Sequence, residues 1–146
     1  MNSLLLILHS LNRFILLALL LVVIVRSFMN WQNKAAFTAT DNKFSLFLFI
    51  STHTQLLLGL ILYFVSPIVI FSSAAMKDKV GRYWLVEHLT GMLIAIILIS
   101  IARISSKKLL DDTAKHKRLF IFNVIALVVI VTMISMSQRG FFGISW

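Results

Sequence analysis

The chain has 146 residues, 60% of them hydrophobic, with a mean hydropathy of +0.96. A soluble domain is about 45–50% apolar, so this length fits one membrane domain and leaves no stretch for a second. The absence of cysteine excludes disulfides, iron–sulfur clusters, c-type haem attachment and thiolate zinc sites. The net charge of +9 sits almost entirely between apolar runs, which fits membrane topology and anionic lipid and gives nucleic acid no folded basic face.

The first apolar run spans about Ser3 to Val25 and ends at Arg26. No basic segment or small-residue cleavage site accompanies it, so it is expected to be a retained span and not a signal peptide. His9, Asn12 and Arg13 share one helical face by their i, i+3, i+4 spacing. Arg13 needs a counter-charge inside the membrane. Glu87 is the only acidic residue within a run, and a haem propionate is the other candidate.

The second run spans about Phe44 to Ser66 and is expected to end or kink at Pro67. It carries His53 among Ser51, Thr52 and Gln55, which either line a quinone pocket or bond neighbouring backbone. The third spans about Tyr83 to Ala102 and ends at Arg103. Helical spacing places Trp84, His88, Gly91, Ala95, Leu98 and Ala102 near one stripe, where small Gly91 and Ala95 open either a groove for a flat ring or a close helix contact. The fourth spans about Leu119 to Ser137. His116 is expected in the loop before it, and Asn123, Thr132 and Ser135 receive no role.

Four runs of about 20 residues are long enough for helices across a hydrocarbon layer of roughly 30 Å and lack the alternation of barrel strands. The expected fold is all-α: a four-transmembrane-helix bundle, up-down-up-down, over spans 3–25, 44–66, 83–102 and 119–137. Arg26, Lys34 and Lys43 fall in the first connection, and six basic residues from Arg103 to Arg118 fall in the third. Both connections are thus expected on the cytoplasmic side, with both termini periplasmic, in a bacterial inner membrane. Trp31, Tyr63, Tyr83, Trp84 and Trp146 fall near the interfaces, as an aromatic belt requires.

Three histidines inside three spans are the central functional signal, because an ionisable ring in lipid is costly and marks a site. His9 lies 17 residues before Arg26 and His88 15 residues before Arg103, which places both roughly 22–25 Å above the basic end. His53 lies 10 residues after Lys43, at roughly 15 Å. A six-coordinate haem needs two imidazoles about 4 Å apart across the iron, given metal–nitrogen bonds of about 2 Å. His9 and His88 are therefore the expected axial ligands, with His53 as the alternative, and with Arg13 and Gly91 as cofactor-binding residues.

The stretches His9-Ser-Leu-Asn-Arg13, His53-Thr-Gln-Leu-Leu-Leu-Gly-Leu-Ile-Leu-Tyr63, Val86-Glu-His-Leu-Thr-Gly-Met92 and Lys115-His-Lys117 resemble the small four-span proteins of Bacteroidetes-type bacteria labelled cytochrome b. The resemblance covers nearly the whole chain. More distantly it is similar to cytochrome b561-type bundles and to half of the haem A synthase bundle. It implies haem b held by histidines and electron transfer at an inner membrane. A two-haem b561 arrangement needs four membrane histidines and only three are present, so one haem is expected. The synthase glutamate three residues before a histidine is absent, because Glu87 directly precedes His88.

The expected function is a membrane b-type cytochrome that relays electrons, with a quinone, a protein redox partner or a second copy as partners besides lipid. It is an electron-transfer protein more than a stand-alone enzyme. The alternatives are a cofactor-free accessory subunit of a larger membrane complex, a transporter or channel using His53, Gln55 and Arg13, and a zinc-type site of His9, His88 and Glu87. No nucleophile triad, phosphate loop or apolar carboxylate pair is present.

Overall fold

The computed structural model describes residues 2–137, and among them there is no strand. Helix α1 runs Asn2–Gln32, α2 Ala39–Val65, α3 Ser73–Lys77, α4 Lys79–Arg82, α5 His88–Lys107 and α6 Asp112–Met136. A π turn, Tyr83–Glu87, joins α4 to α5, so the third span is one helical rod over Lys79–Lys107. Four helices are long and apolar enough to cross a membrane. Arg139 and Trp146 lie outside the described residues.

The helices run further than the apolar runs that announce them. Hydropathy marks only the segment inside hydrocarbon, whereas a capped helix continues through the headgroup region. The 31 residues of α1 span roughly 46 Å, well beyond a layer of about 30 Å. Helix α2 starts at Ala39, not Phe44, because Thr38 and Asp41 form a reciprocal capping box. Helix α6 starts at Asp112, not Leu119, where Asp111 caps the Ala114 amide at 3.1 Å. His116 is consequently a buried helical residue and not a loop residue. Helix α2 stops at Val65, two residues before Pro67, as the restriction on residues preceding proline requires.

Helix α1 packs on α2 and α6, and α5 packs on α6 and, less extensively, on α2. Helices α1 and α5 therefore stand on one diagonal of the bundle. The core is Leu16, Leu20 and Val23 of α1, Leu48 of α2, Ala95 and Ile99 of α5, and Ala126, Ile130 and Ile134 of α6. The α5–α6 contact is the most intimate, and buried Gly91, Ala95, Ala102 and Ala126 allow that approach. Large apolar side chains face outward on all four long helices, the arrangement that lipid solvates.

The basic end is tied by a polar network. Asp41 accepts from Arg26 at 2.9 and 3.2 Å, from Asn30 at 3.1 Å, and from the Thr38 amide and hydroxyl at 2.9 Å each. Arg103 does not terminate its helix. It is buried and donates to the Asn42 carbonyl, the Asn42 side chain and Ser45 at 3.1–3.3 Å, joining α5 to α2. The connection between α1 and α2 is pinned to α6: the Phe37 amide donates to Asp112 at 3.0 Å, and the His116 ring packs on Phe37 with centroids 5.3 Å apart.

Candidate functional site

Two cavities lie toward the opposite end and share a wall of three residues: His9 of α1, Gly59 of α2 and His88 of α5. The inner one, counted with the open space at its mouth, takes in about 590 Å³ and is lined by apolar side chains from α1, α2, α5 and α6, with Thr52 and Gln55. The outer one, counted the same way, takes in about 780 Å³ and adds Ser10, Arg13, Tyr63, Ser66 and Trp84. Both open partly to the exterior. The two histidines expected from depth alone to act together thus meet at one level, from helices on the bundle's diagonal.

Gly59 matters to this wall. A Cβ at that position would come within 3.3 Å of the His9 Nε2, tighter than ordinary van der Waals contact, so a larger residue would push the ring by a few tenths of an ångström. Among the described residues, no side chain or carbonyl hydrogen-bonds the His9 ring. Its helix is held in register by side chains next to it: Asn12 donates to the Ser51 carbonyl at 2.9 Å and to Gln55 at 2.8 Å, and Gln55 donates to the His9 carbonyl at 3.0 Å. Ser51 also donates to Asn12 at 3.2 Å, and Thr52 donates to the Leu48 carbonyl at 2.7 Å. The polar residues of the second run thus bond backbone and each other, zipping α1 to α2.

His88 is placed by the π turn directly before it. A π turn adds one residue, which rotates the chain on its N-terminal side by roughly 100° relative to the helix on its C-terminal side. The rotation brings Tyr83 inward, where it is 5% exposed; it is not a lipid-facing belt residue as expected. Its hydroxyl donates to the Met133 carbonyl at 2.6 Å and lies 3.4 Å from the His88 Nδ1. A phenol has one proton, and the carbonyl takes it. The contact with His88 therefore requires Nδ1–H as donor, which leaves the lone pair on Nε2. Tyr63 donates to the Leu85 carbonyl within the widened turn at 2.8 Å, anchoring it to α2. The Trp84 ring stands 5.2 Å from the His88 ring.

Several expected site residues fall elsewhere. His53 points outward and lines neither cavity; its Nδ1 lies 2.8 Å from the Phe49 carbonyl and its ring packs on Phe49. The alternative ligand is therefore not brought to the other two, because its face of α2 is the one turned away from α1 and α5. Gly91 does not border the shared wall. It is buried against α6, and a Cβ there would overlap the Met133 side chain, so its smallness serves helix packing. Arg13 lines the outer cavity as expected, with its guanidinium 4.9 Å from the Phe14 ring. Its expected partner Glu87 is instead paired with Arg82 at 2.9 Å. Among the described residues no cluster of three or more His, Asp or Glu side chains exists, which removes the zinc-type site of His9, His88 and Glu87.

Tyr63 and Tyr83 are the site residues that sequence reasoning missed. The tyrosines were expected only as interfacial anchors, and no proline or glycine signals the π turn that redirects Tyr83. Gly59 lies six residues after His53 and proves to matter to His9. Compared with family models, curated proteins and solved structures, the chain matches none.

Proposed function

We propose that this protein is a b-type cytochrome of a bacterial inner membrane, with one haem b held between α1 and α5 by His9 and His88. The observation that carries the reading is the shared wall: two imidazoles from diagonally opposed spans border the same two cavities. The residues present fit the group. The lining is apolar, as a macrocycle requires, and two nitrogen donors suffice for axial ligation.

When bound, haem supplies an iron that gains or loses one electron. Tyr83 accepts a hydrogen bond from the His88 Nδ1–H, which would leave Nε2 to hold the iron, the outer-shell arrangement common to metal-ligating histidines. Gly59 keeps the His9 ring from being displaced. Arg13, in the outer cavity, supplies a positive charge for a propionate and favours the reduced state. Leu56, Leu60, Met92 and Ile96 exclude water from the inner cavity. The outer cavity reaches Ser66, Ile68 and Val69 after α2, and its mixed lining suits the head of a lipid-soluble quinone as redox partner. The resemblance of the His9–Arg13 and Val86–Met92 stretches to small membrane cytochromes supports the same reading.

The test is a reduced-minus-oxidised absorbance spectrum after haem-replete expression. A Soret band and a dithionite-induced α band are expected. His9→Ala and His88→Ala should each abolish or shift the α band, while His53→Ala should leave it in place. A wild-type protein that purifies folded and colourless would overturn the assignment.

A further inference from the structure

His53 sits near mid-height of the second span, roughly 15 Å from Lys43, and it faces out of the bundle. Hydroxyls on outward faces satisfy themselves: Thr54, Thr132 and Ser135 each donate to the carbonyl four residues earlier, at 2.9, 2.7 and 2.9 Å. An imidazole cannot do this with both nitrogens. The Phe49 carbonyl only accepts, so at 2.8 Å the His53 Nδ1 carries the proton and Nε2 carries a lone pair. Among the described residues nothing else bonds that ring, and hydrocarbon offers no donor. Of the four histidines, His53 is the one exposed on the bundle surface.

We propose that this face of α2 pairs with the same face of a second copy of the chain. Phe47, Ile50, Thr54, Leu57, Ile61 and Phe64 are all exposed and recur at alternating intervals of three and four, the spacing of a left-handed helix pair. The outer faces of the other helices follow a similar period, as helices of a bundle do; the polar layer sets α2 apart. His53 and Thr54 are adjacent, so an acceptor and a donor stand at one height. A two-fold axis along the membrane normal keeps both copies inserted the same way and brings equal heights together. On pairing, the Thr54 hydroxyl of each copy turns from its own Ile50 carbonyl, which keeps its helical amide donor, to the His53 Nε2 of the other, since a side chain on the seam packs against the position preceding its counterpart. The donor–acceptor pair is self-complementary, which singles out a second copy over an unrelated helix. Ile15, Leu19 and Val22 of α1 border, with Phe47 and Ile50 of the seam, an open groove that continues the apolar face toward α1.

Because the chain has no cysteine, single cysteines report contacts without background. Full-length Ile50→Cys, Leu57→Cys and, as a control on exposed α6, Val128→Cys are oxidised in native membranes. The α2 variants should form disulfide-linked dimers at least five-fold more than the control. His53→Ala in the Leu57→Cys background should lower the yield several-fold, and His53→Gln, which keeps an acceptor, should restore most of it. Equal cross-linking of α2 and α6 variants, a yield insensitive to His53→Ala, or an α2 product with the mass of a different protein would each overturn the proposal. The haem spectrum of His53→Ala is read in parallel, so failure of pairing and failure of the cytochrome assignment are separate results.

Discussion

Asp41 shows how much a single side chain carries in this bundle. Its carboxylate is 7% exposed and accepts from Arg26, Asn30 and Thr38, so it fastens the end of α1 to the start of α2. Asp41 is the buried member of this cluster, and the Arg26 side chain, 37% exposed, stays solvated without it. Asp41→Ala should destabilise by about 1–2 kcal/mol through the lost capping box and hydrogen bonds, read as a lower melting temperature in detergent. Gly91→Ala forces a Cβ onto the flexible end of the Met133 side chain, which must move aside, and should cost up to about 1 kcal/mol. Met133→Ala should recover much of that loss when the two are combined, which a double-mutant thermal melt checks. At this scale the sequence is informative about chemistry and poor about direction. His9, His53 and His88 stand out equally as ionisable residues in apolar runs. Only two face inward, and because every face of α2 carries apolar residues, hydropathy cannot say which face that is.

Among the elements, the π turn is the least legible and the most consequential. Tyr83–Glu87 contains no helix breaker, and its widened geometry is set by long-range bonds: Tyr83 to the Met133 carbonyl and Tyr63 to the Leu85 carbonyl. Tyr63→Phe and Tyr83→Phe should each cost about 1 kcal/mol, the scale of a net hydrogen bond. They should differ in the haem-loaded protein. Tyr83→Phe also removes the acceptor for the His88 Nδ1, so its reduction potential should move, while that of Tyr63→Phe should stay. The end of α1 is a second local feature. Lys34 adopts φ 51°, and the Ala35 amide bonds the Asn30 carbonyl at 2.9 Å, a closure that favours glycine at the left-handed position. Lys34→Gly should therefore stabilise the protein by about 1 kcal/mol, seen as a raised melting temperature.

For the whole molecule, the four-span plan is readable from composition because lipid imposes it: backbone groups inside hydrocarbon must be paired internally, and a run of about 20 apolar residues can meet that demand only as a helix. The charge asymmetry also speaks at this scale. The end carrying Lys34, Lys43, Lys107, Lys108, Lys115 and Lys117 should face the cytoplasm, so a C-terminal alkaline phosphatase fusion should be active and a C-terminal green fluorescent protein fusion dark. By itself the sequence determined the number and approximate limits of the long apolar helices and the all-α class, since hydropathy acts locally. Tertiary structure decided the rest. It placed α1 diagonal to α5, turned His53 to the outside, gave Gly91 to helix packing and Gly59 to His9, and paired Glu87 with Arg82. Each depends on the rotation of a helix about its own axis and on which neighbour fills the space beside it, and both are settled by contacts between residues far apart in the chain.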